Sequence, residues 1–165
     1  MNKIKIEKIV VNVGIGRLGQ QANFKDKIVP EITKELAMIT GQRASLRGTK
    51  KSIAGFKTRL GDIVGMKVTL RKKRMLDFLS RLINIAIPRV KDFRGIDLKN
   101  IDQNGNLNIG FKEQYIFPEI KAEESKVHFG LQVTIVPSSR NKGKIVDFYR
   151  SLGIPLRKSQ APSTK

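Results

Sequence analysis

The chain has 165 residues, a hydrophobic share of 39%, and 33 Lys plus Arg against 14 Asp plus Glu, a formal net charge of +19. That length supports one domain with a real core, while the lack of Cys and the single His, His128, exclude disulfides, thiol chemistry and a His-built metal site. Charge this one-sided repels itself unless a polyanion offsets it, so nucleic acid is the first partner class and an anionic membrane surface the second.

Residues 4–13, "IKIEKIVVNV", alternate as a strand, with Ile4, Ile6, Ile9 and Val11 among the apolar members. No apolar signal core and no membrane-length apolar run occurs, which makes a soluble intracellular protein the expectation. Residues 24–39 read as an amphipathic helix through Phe24, Ile28, Ile32, Leu36 and Ile39, and Gly41 stands where a C-terminal cap belongs. Segments 43–49 and 64–71 form a candidate hairpin joined by a long basic link. A second helix spans 74–87, with Met75, Phe78, Leu79, Leu82 and Ile83 on its apolar face and Pro88 as its stop. "GNLNIGF" and "LQVTIVP" read as further strands, and a last helix near 142–152 ends at Gly153 and Pro155. The tail "LRKSQAPSTK" is polar and reads as loose. Mixed elements with a hairpin-like pair and no repeating βαβ series predict an α+β fold. It is a two-layer sandwich, with helices on one face of a largely antiparallel sheet and the other face free for a ligand.

The stretch "IVVNVGIGRLG" spells G-x-G-x-x-G through Gly14, Gly16 and Gly19 after a strand, the spacing of a dinucleotide loop. Such a loop opens directly into a helix, so that the helix N-terminus faces the pyrophosphate, and an acid follows about twenty residues on. "RLGQQAN" instead separates Gly16 from Phe24, Glu35 falls mid-helix, and "RASLRGT" carries no acid. A dinucleotide-dependent enzyme using the 14–19 loop is therefore the weak alternative. The other readings are a flexible connection whose glycines permit positive φ, or a place where backbone meets a bulky partner. "GTKKSIAGFK" lacks phosphate-loop spacing, no acid–base pair stands out, and His128 reads as structural.

The cations cluster. Eleven lie between Arg43 and Arg74 against one acid, Asp62: Arg43, Arg47, Lys50, Lys51, Lys57, Arg59, Lys67, Arg71, Lys72, Lys73 and Arg74. Solvated faces normally mix the signs. "RKKR" at 71–74 puts four cations at the start of the second helix, where the partial charge is already positive and each is mildly destabilising. A bound phosphate backbone accounts for that choice. Arg43, Arg47, Lys72, Lys73 and Arg74 are accordingly candidate contacts to nucleic-acid phosphates.

Five stretches then carry a resemblance: "KIVVNVGIG", "ITGQRA", "KKSIAGFKTRLGDIVGMKVTLR", "RLINIAIPRVKDFRGI" and "FKEQYIFPEI". In this order they resemble the family of the fifth large-subunit ribosomal protein, which binds 5S ribosomal RNA. The similarity runs from about residue 4 to 136 and continues weakly through "SLGIPLRK". The resemblance implies helices against a curved antiparallel sheet and one domain over 1–156, with a basic protruding loop at about 50–63 and a polar tail at 157–165. It implies a structural role in the central protuberance of the large subunit of the cytoplasmic ribosome, with no catalysis, no cofactor, no metal and no membrane. The implied partners are 5S rRNA, large-subunit rRNA, the peptidyl-site tRNA and a protein of the small-subunit head.

Carried over by position, the implied 5S rRNA contacts are Asn12 in "VNVGIG", Gln42 in "TGQR", and Thr69 and Arg71 in "KVTLR". The implied tRNA-binding loop offers Lys50, Lys51, Ser52, Lys57 and Arg59, with Ala54 and Gly55 allowing close backbone approach. Alternation around Val68 and Leu70 puts Thr69 on the outward face with Lys67 and Arg71. Two departures stand out. Many bacterial members have a largely helical leader before the first strand, and this chain starts almost at the strand. "PSSRNKGKIVDFYRSLG" is also more basic than the family's usual segment, so its helix is expected to face RNA more than is usual for the family. The inter-subunit contact is expected near "IDQNGN" (101–106) and "KEQ" (112–114).

Overall fold

A computed structural model describes residues 4–157. The first strand, β1 (Ile6–Gly14), buries Ile9, Val11 and Val13 and leaves Asn12 half-buried and Gly14 exposed. The chain then makes a 3-10 turn at Gly16–Gln20 and a wide π-type turn at Phe24–Ile28, entered through Asn23 in the left-handed region. That turn runs straight into α1 (Val29–Thr40). Pro30, in the first turn of α1, has no N–H to give, so regular helical bonding starts at Val29 rather than at Phe24. Gly41, at φ 72°, ends α1 as expected and donates its N–H to the Ala37 carbonyl at 2.8 Å.

Next come β2 (Ser45–Gly48) and β3 (Ile63–Leu70), an antiparallel pair as expected. The second helix, α2 (Lys72–Arg81), begins two residues earlier than its apolar stripe suggests. It continues as a π-type turn, Leu82–Ala86, and a 3-10 turn, Ile87–Arg89. Pro88 therefore lies inside the last turn instead of before its end. β4 (Leu107–Phe111), β5 (Leu131–Pro137) and α3 (Lys142–Ser151) complete the fold. Asn141 caps α3 by accepting the Lys144 N–H at 3.4 Å.

One expectation about the tail is corrected. Leu156 and Arg157 are tied down: Ile96 and Leu156 form a parallel bridge, and Arg157 donates its N–H to the Ile96 carbonyl at 2.9 Å. Its Nε also donates to the Arg94 carbonyl at 3.1 Å. Residues 158–165 of the expected tail lie outside the described residues.

The five strands form one antiparallel sheet in the order β2-β3-β1-β5-β4. One face is apolar and covered. Ile9, Val11 and Val13 of β1, Met66, Val68 and Leu70 of β3, and Val133 and Ile135 of β5 share a core with Ile32, Leu36 and Ile39 of α1. Phe78 and Leu82 join them, as do Ile145 and Tyr149 of α3. Each such side chain contributes about 1.5–3 kcal/mol on burial. Phe78 stacks on Phe117 with ring centroids 5.8 Å apart. The buried Tyr149 hydroxyl reaches the Gly105 carbonyl at 2.8 Å, and burial pushes its phenol far above the ordinary value. The architecture is an α+β sandwich with one sheet face left uncovered by helices.

Candidate nucleic-acid interface

Alternation decides what the uncovered face presents. Pairing across the sheet puts Ser45, Lys67, Asn12, Gln132 and Gly110 in one row, one residue from each strand. A second row holds Thr69, Val10, Thr134 and Asn108. A third holds Arg47, Gly65 and Gly14. Thr134 donates its hydroxyl to Asn108 Oδ1 at 2.7 Å. Asn12 faces Lys67 directly and Thr69 diagonally, within roughly 7–8 Å by sheet geometry. Thr69 is outward, as expected, between the buried Val68 and Leu70.

The third row opens into a groove of about 540 Å³ lined by Asn12, Gly14, Arg47, Gly65 and Gln132, among others. A Cβ on Gly14 would meet nothing within 4 Å, whereas one on Gly65 would come to 3.1 Å of the Val13 carbonyl. The flexible-connection reading of the glycine loop needs correction: Gly14, Gly16 and Gly19 are not among the glycines with positive φ. The dinucleotide reading fails on topology. A 3-10 turn, not a helix, follows the strand, and the sheet is antiparallel. Glu35, the candidate ribose ligand, is only 5% exposed and accepts a hydrogen bond from Gln114 Nε2 at 3.2 Å.

Gln42 lies just past the α1 cap. Its Nε2 donates to the Thr69 carbonyl at 3.2 Å, and its Oε1 accepts from Arg74 Nη1 at 3.4 Å. The structure thus joins Gln42, Thr69 and Arg74 directly, with Arg71 at the junction of β3 and α2. The N-terminus of α2 has no side-chain cap and no acid in its first turn. Among the described residues, none of the eleven cations from Arg43 to Arg74 belongs to an ion pair. Lys72 also sits at φ 54°, a left-handed conformation that costs an ordinary residue roughly 1 kcal/mol. Lys72→Gly should therefore raise stability by about 1 kcal/mol, or roughly 2–4 °C in Tm. It should also remove about one unit from the salt dependence of RNA binding if Lys72 meets a phosphate. Thermal unfolding and a salt titration of the one variant read both effects.

The 50–61 link has its own structure. Ile53 and Thr58 bridge around a 3-10 turn at Ala54–Phe56. Thr49 and Asp62 close the base, where the Thr49 N–H donates to the Asp62 carbonyl at 2.9 Å. Lys50, Lys51, Lys57 and Arg59 are exposed, and Ser52 donates its hydroxyl to the Thr58 carbonyl at 3.1 Å, which shapes the loop. Phe56 and Leu60, at 75% and 72% exposure, crown it; sequence reasoning passed over them although both are large apolar residues with no periodic partner. It also passed over Gln132, Thr134 and Asn108. Only the pairing of β5 with β1 brings these beside Asn12 and Val10.

Elsewhere the surface differs. Glu31, Glu35, Glu119 and Glu124, with Lys34 and Lys121 among them, line a cleft beside α1. In "KEQ", Gln114 is fully buried, so it is an internal brace and not a surface contact. In "IDQNGN", burial raises the Asp102 pKa, but hydrogen bonds from the Asn106 side chain and the N–H groups of Asn106, Asn104 and Gly105 outweigh it. They hold the carboxyl below its ordinary value. His128 is exposed and stacks on Tyr115 with centroids 5.8 Å apart. Arg140, Lys142 and Lys144 are exposed around the start of α3. Among the described residues no helix is long and apolar enough to cross a membrane.

Comparison with known proteins places this geometry in a family. Residues 1–59 match the model for ribosomal protein L5, and residues 63–156 match the model for the C-terminus of the same ribosomal family. The two matched segments share one sheet, since β1 and β2 pair with β3 and β5. The large ribosomal subunit protein uL5 of Geobacter sulfurreducens is 47% identical over 153 residues, covering 93% of this chain and 83% of that protein. That of Malacoplasma penetrans is 46% identical over 94% of this chain and 81% of its own length. That of Helicobacter pylori is 46% identical over 93% and 83%. With both halves of its sheet matched and relatives 46–47% identical over more than nine-tenths of its length, the chain belongs to the ribosomal protein L5 family, structural constituents of the large ribosomal subunit.

Proposed function

We propose that the uncovered sheet face binds 5S rRNA in the central protuberance of the large subunit of the cytoplasmic ribosome, with Asn12, Gln42, Thr69 and Arg71 among its contacts. The observation that supports this best is convergence. Residues from a strand end, a helix cap and a second strand meet on one polar surface, ringed by cations that no acid neutralises among the described residues. Asn and Thr side chains can hydrogen-bond bases and 2′-hydroxyls, while Arg pairs with phosphate. Arg43, Arg47, Lys72, Lys73 and Arg74 supply backbone contacts to 5S or large-subunit rRNA. The 50–61 loop, through Lys50, Lys51, Ser52, Lys57 and Arg59, reaches the peptidyl-site tRNA. A small-subunit head protein meets the surface near residues 101–106 and the exposed Lys112 and Glu113.

Asn12→Ala and Thr69→Ala should each cost about 1–3 kcal/mol of 5S rRNA binding, with folding stability shifted by only about 0.5 kcal/mol. Affinity and thermal unfolding on the same variants check this; unfolding, or unchanged affinity, makes the two residues structural. Neutralising Lys50, Lys51, Lys57 and Arg59 together should leave 5S rRNA binding largely intact and weaken tRNA retention at the peptidyl site of reconstituted ribosomes. Loss of 5S rRNA by that variant would assign the loop to the wrong partner.

A further inference from the structure

We infer that Gln42 contributes to the RNA surface chiefly by positioning: it holds Arg74 on an RNA phosphate. This rests on the proposal that the uncovered face binds RNA. Gln42 is half-buried at the meeting point of three elements: the end of α1, the end of β3 and the first turn of α2. Both ends of its amide are engaged. The nitrogen donates to the Thr69 carbonyl, which fixes the plane of the amide, and the oxygen then points at Arg74 Nη1. Thr40 braces the same corner: its hydroxyl reaches the Leu36 carbonyl at 2.7 Å and the Gln42 carbonyl at 3.0 Å. The backbone that carries Gln42 is thereby set before any ligand arrives.

Arg74 gains most from this. It is exposed, it lies in the uncapped first turn of α2, and it forms no ion pair among the described residues. A free arginine side chain samples many rotamers, and ordering it on a phosphate costs conformational entropy. A neutral acceptor orders the guanidinium without cancelling its charge, which an acid at position 42 would do. A guanidinium has five N–H donors. One spent on Gln42 leaves a forked edge for a phosphate oxygen pair. An arginine so placed binds phosphate more tightly than its charge alone provides, the usual gain from preorganisation.

A double-mutant cycle on 5S rRNA tests this, with wild type, Gln42→Ala, Arg74→Ala and the double variant. Each single change should weaken binding by about tenfold, and the double should be no weaker than about twofold below the poorer single. Arg74→Ala should lower the slope of log affinity against log salt by about one unit. Gln42→Ala removes no charge, yet it should lower the slope by a measurable part of that unit. Multiplicative losses with an unchanged slope for Gln42→Ala would overturn the inference, since the amide would then act without Arg74. If Gln42→Ala fails to fold, Gln42→Met keeps the stem packed and serves the same cycle. Failure of the wild-type chain to bind 5S rRNA contradicts the RNA assignment alone, and the cycle is then run on large-subunit rRNA. Binding to neither RNA overturns both.

Discussion

Replacing Arg47, Lys67, Arg71 and Arg74 together by Gln should lower affinity for 5S rRNA about a thousandfold at physiological salt. The four lie on, or at the edge of, the uncovered face, from β2 through β3 to the first turn of α2. Each phosphate contact contributes a slope of about −0.7 on single strands to −0.9 on a duplex, so four removed contacts flatten the log–log salt plot by roughly three to four units. At about 0.15 M salt that difference corresponds to nearly three decades of affinity, or about 4 kcal/mol. The fold should survive, because none of the four is buried and none is spent on an ion pair among the described residues. Removing like charge from a chain at +19 relieves repulsion if anything. A variant that binds with an unchanged slope would move the phosphate contacts to another surface.

The largest effect on stability is expected at Gln114. Its side chain is fully buried in the connection from β4 to β5. The nitrogen donates to Glu35 Oε2 at 3.2 Å and to the Val127 carbonyl at 2.6 Å, and the oxygen accepts the Phe129 N–H at 3.2 Å. Gln114→Leu keeps the volume and removes every one of these partners. The Val127 carbonyl retains the Ser125 hydroxyl at 3.0 Å, but the Glu35 carboxylate loses this donor and the Phe129 N–H is left without an acceptor. Leaving the buried Phe129 N–H without an acceptor and removing the hydrogen bond to Glu35 costs about 3 kcal/mol in total. For a chain of this size Tm should fall by about 6–12 °C. The affinity of the folded variant for RNA should change less than twofold, because the connection packs on the side away from Asn12 and Thr69. A Tm within 2 °C of wild type, measured by calorimetry, would show that the network contributes little.

Local pattern carried most of the fold. The period-2 alternation of β1, β3 and β5 and the apolar stripes of α1 and α2 were legible because both kinds of element bury one side only. Boundaries slipped where backbone chemistry outweighed side-chain pattern. Pro30 turned the entry to α1 into a π-type turn, and Pro88 fitted a 3-10 turn whose bond, from the Val90 N–H to the Ile87 carbonyl, does not use its nitrogen. The site was half legible. Asn12, Thr69 and the cations stand out by residue type, but Gln132 and Asn108 join them only through long-range pairing, which no local period records. Gln114 looked like a surface residue because its burial depends on Glu35, 79 positions away in sequence.

The central claim is that RNA lies on the uncovered face, and the absence of cysteine makes a direct measurement simple. Gln132→Cys places a single thiol beside Asn12 on that face, and Lys121→Cys places one in the cleft beside α1. An iron chelate tethered to each thiol cleaves nearby RNA backbone when radicals are generated. With the protein bound to 5S rRNA, the Gln132→Cys probe should cut the RNA at a few adjacent nucleotides, and the Lys121→Cys probe should leave the same stretch intact. Equal cutting from both positions, or cutting from Lys121→Cys alone, would contradict the assignment of the uncovered sheet face to 5S rRNA.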